Sequence, residues 1–297
     1  MGYVIVTDSV PDLEEAFLLQ NGICTVPLRF TVDGWDTAED DFGRTVSFSD
    51  FYQQLRTGRI ITTAPADQTA FTSVFEGILK SRRDVVYFGL SSRLSEQYQT
   101  ACMAAKELQE RYDNEIYCVD TLAVSGGQAL LVREAVKRKT EGMTAEQLAE
   151  WAEAYRSRIA QYILVDDPKY LQRNGDIEQQ HFRFGSRGSM CQLLRIEAGG
   201  LVPGKKIRGR KKTLELLERQ LAAQLPEGGA VYISHGDCRE DAEELAKYLL
   251  RHAGVSHAEL IVLNQVIGAH AGPDAIGVCF CREASADMDT EEPQSHD

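Results

Sequence analysis

No apolar run in this sequence of 297 residues approaches the ~18 residues that a membrane-spanning helix needs, so an integral membrane segment is not expected. The opening MGYVIVTDSVPDLEE lacks the basic start and long apolar core of a secretion signal. Val6 stands where a myristoylation signal wants Ser or Thr. A cytoplasmic protein is expected. Metal-ligand spacing is missing too: no CxxC pair occurs among Cys24, Cys102, Cys118, Cys191, Cys238, Cys279 and Cys281. Their odd number and irregular spacing, mostly inside apolar runs, suit buried reduced thiols better than a disulfide framework or a zinc site. There is no GxxxxGKS/T and no GxGxxG to cradle nucleotide phosphates, no GxSxG nucleophile elbow and no HExxH. Positive charge is short: 32 Lys and Arg against 45 Asp and Glu leave a net charge of −13, which opposes nucleic-acid binding.

What is present is the composition of a soluble globular protein, 43% hydrophobic and 26% charged, with length enough for two domains. The first half alternates strands and helices. YVIVTDS, CTVPLRFTVDG, RIITTAPADQ, DVVYFGLSS and EIYCVDT read as strands, with helical spacing between them, as in Tyr98, Ala101, Cys102, Ala105 and Leu108. This implies a mostly parallel sheet with flanking helices. After a helix from Thr144 the style changes. CQLLRIEAGGLVPGKKIRG reads as a hairpin around Gly199 and Gly200. GAVYISHGDCREDAEELAKYLLRH reads as strand, tip and helix, with Asp237 and Glu240 as a capping pair. HAELIVLNQVIG and AIGVCFC read as two more strands. The expected organisation is an N-terminal α/β domain, residues 1–158, a smaller C-terminal α/β domain, residues 159–283, and an acidic disordered tail, residues 284–297.

Ligands of parallel sheets sit at the carboxyl ends of the strands. The tips there, Thr7 to Ser9, Thr62 to Pro65, Ser91 to Ser95 and Asp120 to Gly127, are rich in hydroxyls. Singly these are helix caps; converging on one edge they are equipment for an anion. His270 sits among Gly268, Ala269, Ala271 and Gly272. From its surroundings alone it is a satisfied core residue, a base, a metal ligand or a holder of something negative.

The tips also resemble a known family. TDSVPDL, from Thr7, resembles the TDSxxDL that opens the DegV family of lipid-binding proteins. TTAPA resembles that family's TSQPS, SSRLSEQYQTA its SSxLSGTYQSA, and DTLAVSGGQ its DSxxxSxGxG. YLQRNGDI resembles YLxRGGRI, and IGAHAGPDAIG resembles IGxHxGPG. The six come in the family's order and span residues 4–282. The resemblance implies a two-domain fold that buries one long-chain fatty acid between its domains, with no other cofactor. It further implies a non-enzymatic binding subunit whose acyl chain is offered to a fatty acid kinase catalytic subunit for acyl phosphate formation. The carboxylate-holding roles fall on Thr62, Thr63, Ser95 and His270, with Arg173, Ser9 and Ser125 in a supporting polar network.

A desolvated carboxylate at the mouth of an apolar tunnel must be hydrogen-bonded or paired, and hydroxyls, a guanidinium and an imidazole all supply donors. The sequence departs from the family pattern at Ala64, Ala66, Glu96, Asn174, Asp176 and Asp274. The basic cluster GKKIRGRKK reads either as a solvated turn or as a partner-docking surface using Arg208 and Arg210. The rival reading from another class is a hydrolase or acyltransferase with Ser95 as nucleophile and His270 as base, completed by Asp8.

Overall fold

A computed structural model describes residues 2–176 and 190–282. The tail 284–297, expected to lack fixed structure, lies outside the described residues. Elements of the first half run β1 (Tyr3–Asp8), α1 (Glu15–Gln20), β2 (Cys24–Val26), β3 (Arg29–Val32), β4 (Thr37–Glu39), α2 (Phe48–Arg56), β5 (Ile61–Ala64), α3 (Gln68–Lys80), β6 (Asp84–Gly89), α4 (Gln97–Gln109), β7 (Ile116–Asp120), α5 (Gly126–Thr140) and α6 (Ala145–Tyr155). The second half runs β8 (Ile159–Val165), α7 (Lys169–Arg173), β9 (Met190–Glu197), β10 (Gly200–Arg208), α8 (Arg210–Ala222), β11 (Ala230–His235), α9 (Arg239–His252), β12 (His257–Val262), α10 (Gln265–Ala271) and β13 (Ile276–Cys281).

The first sheet has the order β2-β1-β6-β7 and is parallel throughout. Its central strands are apolar on both faces because helices cover both. On one side α3 and α4 bring Phe71, Phe75, Ala101 and Leu108 onto Val4, Val6 and Tyr87. On the other, α5 and α6 bring Leu131 and Leu148 onto Ile5 and Phe88. The second sheet, β10-β9-β8-β13-β11-β12, is antiparallel except for the β11–β12 pair. Leu217, Leu245 and Leu249 of α8 and α9 cover one of its faces. Helix α5 packs against both sheets, which its sequence permits by opening on two glycines. A Cβ on Gly127 would meet the Gln161 side chain at 2.3 Å. The Gln161 amide instead accepts from the Val124 N–H at 3.1 Å.

Two expected strands turn out differently. CTVPLRFTVDG is not continuous: β2 ends at Val26 and β3 starts at Arg29, where Pro27 has no N–H to continue a ladder. Strand β3 then joins β4 and β5 in a separate antiparallel sheet of order β4-β3-β5. The Thr62 to Pro65 tip therefore belongs to this small sheet and not to the parallel one. NQVIG, read as the end of a strand, forms the start of α10, whose Asn264 side chain accepts from the Ile267 N–H at 2.9 Å.

Candidate functional site

The carboxyl ends of the parallel strands open onto an apolar cavity of about 130 Å³. Leu28 follows β2, Leu90 follows β6 and Val124 precedes α5; all three line it. Ile163 of β8 and the facing pair Ile196 and Leu201 of the β9–β10 hairpin line it from the second sheet. The hairpin is held there at its tip. Ser91 donates its hydroxyl to the Gly199 carbonyl at 2.8 Å, and a Cβ at Gly199 would meet the Ser91 Oγ at 2.5 Å.

The polar side chains of the lining are Thr63, Ser95, Asp176 and His270, and Thr63, His270 and Asp176 form one hydrogen-bonded polar end. His270 reaches it from α10. Its Nε2 lies 2.8 Å from the Thr63 Oγ1 and its Nδ1 lies 2.6 Å from the Asp176 Oδ2. A carboxylate only accepts, so Nδ1 carries a proton and donates to Asp176. Ser95 accepts from the Gln97 N–H at 3.2 Å, which leaves its own hydroxyl proton for a ligand. Ala64 is exposed and lines the cavity, so it marks the mouth.

Of the residues expected to hold a carboxylate, the structure brings Thr63, Ser95 and His270 together and leaves Thr62 out. Successive side chains of a strand point to opposite faces. Thr63 faces the cavity, and Thr62, opposite Thr31 in the ladder, is exposed. Arg173 is exposed, with its guanidinium 5.3 Å from the centre of the Tyr170 ring; Asp176, three residues on, occupies the polar end instead. Ser9 and Ser125 are buried away from the cavity lining. Ser9 accepts from the Leu28 N–H at 3.1 Å. Ser125, at a φ of 54°, donates to Asp12 and lies 3.0 Å from the Ser234 hydroxyl.

The expected docking pair also separates. Arg208 is exposed at the end of β10, whereas Arg210 is a structural clamp. Arg210 pairs with Asp241 at 2.5 Å and Asp166 at 3.3 Å and donates to the Asp274 carbonyl at 2.6 Å.

The departures from the family pattern find places. Glu96 is exposed where α4 begins and is not part of the cavity lining. Asn174 donates to the carbonyls of Tyr170 and Ala269, at 3.1 and 2.9 Å, and so ties α7 to α10. Asp274, at a φ of 64°, accepts from Arg56 at 2.9 Å. The serine-nucleophile reading finds no support. Both nitrogens of His270 are engaged by Thr63 and Asp176, and Asp8 is taken up by the N–H groups of Val10 and Leu90 and by Tyr87 and Gln128.

Three carboxyls, Asp8, Asp12 and Asp40, are buried, and the sequence singles out only Asp8 among them. Burial pushes Asp8 and Asp12 up to about 6 and Asp40 up to about 8. Asp12 ties the two halves, accepting from the Asn264 N–H at 3.1 Å and its side-chain amide at 3.0 Å. Among the described residues there is no cluster of three or more metal-ligating side chains, and no helix is long and apolar enough to cross a membrane.

A sequence model of the family described as "Uncharacterised protein, DegV family" matches residues 3–283. The chain belongs to the DegV family. This DegV chain is 32% identical over 295 residues to a DegV domain-containing protein of Clostridium perfringens, covering 98% of itself and 99% of that relative. Its fold matches a solved Thermotoga maritima protein, described as revealing fatty acid binding function, with a TM-score of 0.82 and 25% identity over 95% of this chain and 100% of the other. It also matches the fatty acid kinase B3 protein of Streptococcus pneumoniae loaded with linoleic acid, with a TM-score of 0.82 over 95% of this chain and 100% of the other. At 16% identity that likeness is one of fold. The mixed α/β architecture expected from the motifs is the fold these solved structures share.

Proposed function

We propose that this DegV protein binds one long-chain fatty acid between its two halves. The same reading has it present the carboxylate to a separate fatty acid kinase catalytic subunit, where ATP converts it to an acyl phosphate. The observation that carries the reading is the apolar cavity lined by the hydroxyls of Thr63 and Ser95 and by the imidazole of His270, which is hydrogen-bonded to Thr63. The acyl tail supplies about 0.8 kcal/mol for each CH₂ buried, and the polar end selects acids among lipids. The enclosed space, about 130 Å³, is near the ~150 Å³ that accommodates a benzene ring. A long chain therefore displaces lining side chains as it enters, and the hairpin residues Ile196 and Leu201 are the ones placed to give way.

In this reading the protein is a carrier, and phosphoryl transfer belongs to the partner. Arg208 is the docking residue left by the clamp role of Arg210. The test is reconstitution of the delipidated protein with a fatty acid, ATP, Mg²⁺ and the kinase catalytic subunit of the same organism. Acyl phosphate is trapped as its hydroxamate. Production that depends on this protein and falls on Arg208→Ala supports the reading. Lipid binding without any acyl phosphate overturns the kinase partnership and leaves the carrier.

A further inference from the structure

We propose that the polar end takes up one proton with each carboxylate it binds, and that the chain Thr63–His270–Asp176 carries it. The inference rests on the fatty-acid reading above and follows from counting donors. With a neutral imidazole, the Nδ1 proton goes to Asp176, and Nε2 must then accept the hydroxyl proton of Thr63. Both protons are consumed inside the chain. Among the described side chains of the cavity lining, Ser95 alone then has a donor for the ligand, and the Asp176 carboxylate stands beside the incoming one. One added proton reverses this. Nε2–H becomes a donor, Thr63 turns its hydroxyl toward the ligand, and the imidazolium lies between two carboxylates. No bond other than those to hydrogen changes, and solvent is the proton source.

No other charge among the described residues lines the cavity to do this work. Among the described residues, His270 and Asp176 are the titratable side chains that line the cavity. The elements packed on α10 are α2, α7, β3 and β5, and their charged groups are engaged elsewhere. Arg56 of α2 is held by Asp237 and Asp274, and Asp50 accepts from the Ser47 hydroxyl. Lys169 of α7 pairs with Asp167, and Arg173 lies over Tyr170. Arg29 of β3 pairs with Asp67, and β5 has no ionisable side chain. The phenols of Tyr52 and Tyr170 donate to the carbonyls of Leu263 and Leu55.

Titration calorimetry of the delipidated full chain, in buffers of different ionisation enthalpy, counts the protons directly. The probes are dodecanoic acid and dodecan-1-ol, which share a tail and differ in head-group charge. The expected result is uptake of about one proton with the acid, with affinity weakening by up to about tenfold per pH unit toward alkaline pH. The alcohol takes up none. In His270→Gln, which keeps a polar side chain, proton uptake with the acid disappears while the alcohol still binds. An acid that binds the wild type without proton uptake overturns the inference, and so does uptake that survives His270→Gln. Failure of both lipids to bind the wild type overturns the fatty-acid reading itself.

Discussion

Thr62 and Thr63 are adjacent, chemically identical and on opposite faces of β5. A hydroxyl-rich tip was legible in the sequence; which hydroxyl faces the cavity was not, because the face is fixed by register against β3. Thr63→Val is therefore expected to weaken fatty-acid binding by about tenfold, the worth of a hydrogen bond to a charged group. Thr62→Val leaves it within about twofold. Displacement of a fluorescent fatty acid measures both, and equal effects from the two would contradict the assignment. Arg208 and Arg210 divide in the same way. Their sequence context is one basic cluster, but Arg210 is drawn into an ion-pair network by Asp166 and Asp241, residues remote in sequence and invisible to a local reading. Arg210→Ala leaves those carboxylates unpaired and should cost about 1–2 kcal/mol in urea unfolding, partial exposure having been allowed for. Arg208→Ala should leave stability unchanged.

Local signals located the longer helices but missed the short α7 and α10. Ser47, Asp67 and Thr144 cap α2, α3 and α6 with their side chains, and Thr144 and Gln147 form a full capping box. The expected Asp237 and Glu240 pair failed: α9 starts after Cys238 without a side-chain cap, while Asp237 adopts a φ of 58° and binds Arg56. Sheet membership was harder to read. A four-residue strand such as ITTA is compatible with either neighbour; its sequence context points to the parallel sheet, whereas β5 pairs with β3. The β9–β10 hairpin shows both sides of this. Its turn was signalled by the glycine pair, and Ala198 and Gly199 take the positive φ values, 45° and 80°, of a tight two-residue turn. That its tip docks on Ser91 and Leu122 depends on a contact no local pattern records. Gly199→Val places carbon where Ser91 and Leu122 already sit. The expected outcome is a loss of about 2 kcal/mol and faster release of bound lipid, seen in stopped-flow displacement. An unchanged release rate would show that the hairpin does not close the cavity.

Across the whole molecule, the two sheets are joined by polar groups as well as by α5. Asp12 reaches Asn264 and Ser125 faces Ser234 across that junction. The carboxyls of Asp8, Asp12 and Asp40 are raised by burial to about 6, about 6 and about 8. Above their unfolded value of 3.8 the native state holds more protons than the unfolded chain. Stability contributed by these groups is therefore present at acid pH and lost as pH rises through 6 and then 8. Asp40→Asn should flatten the upper part of that decline, a gain of about 1 kcal/mol or more at alkaline pH; a urea midpoint that keeps the wild-type pH profile would contradict it. The order of the motifs along the chain made the architecture legible: four mark a strand end or a helix start, and the other two run past the ends of α7 and α10. The polar end of the cavity was legible in Ser95 and His270 and not in Asp176, whose role appears only once α7 is placed beside α10. The most direct measurement is native mass spectrometry of the protein purified from its own host, before and after solvent extraction. The prediction is a single extractable adduct with the mass of a long-chain fatty acid, greatly reduced in Thr63→Val. A bare polypeptide mass from freshly purified, folded wild type, still bare after incubation with fatty acids, would contradict it.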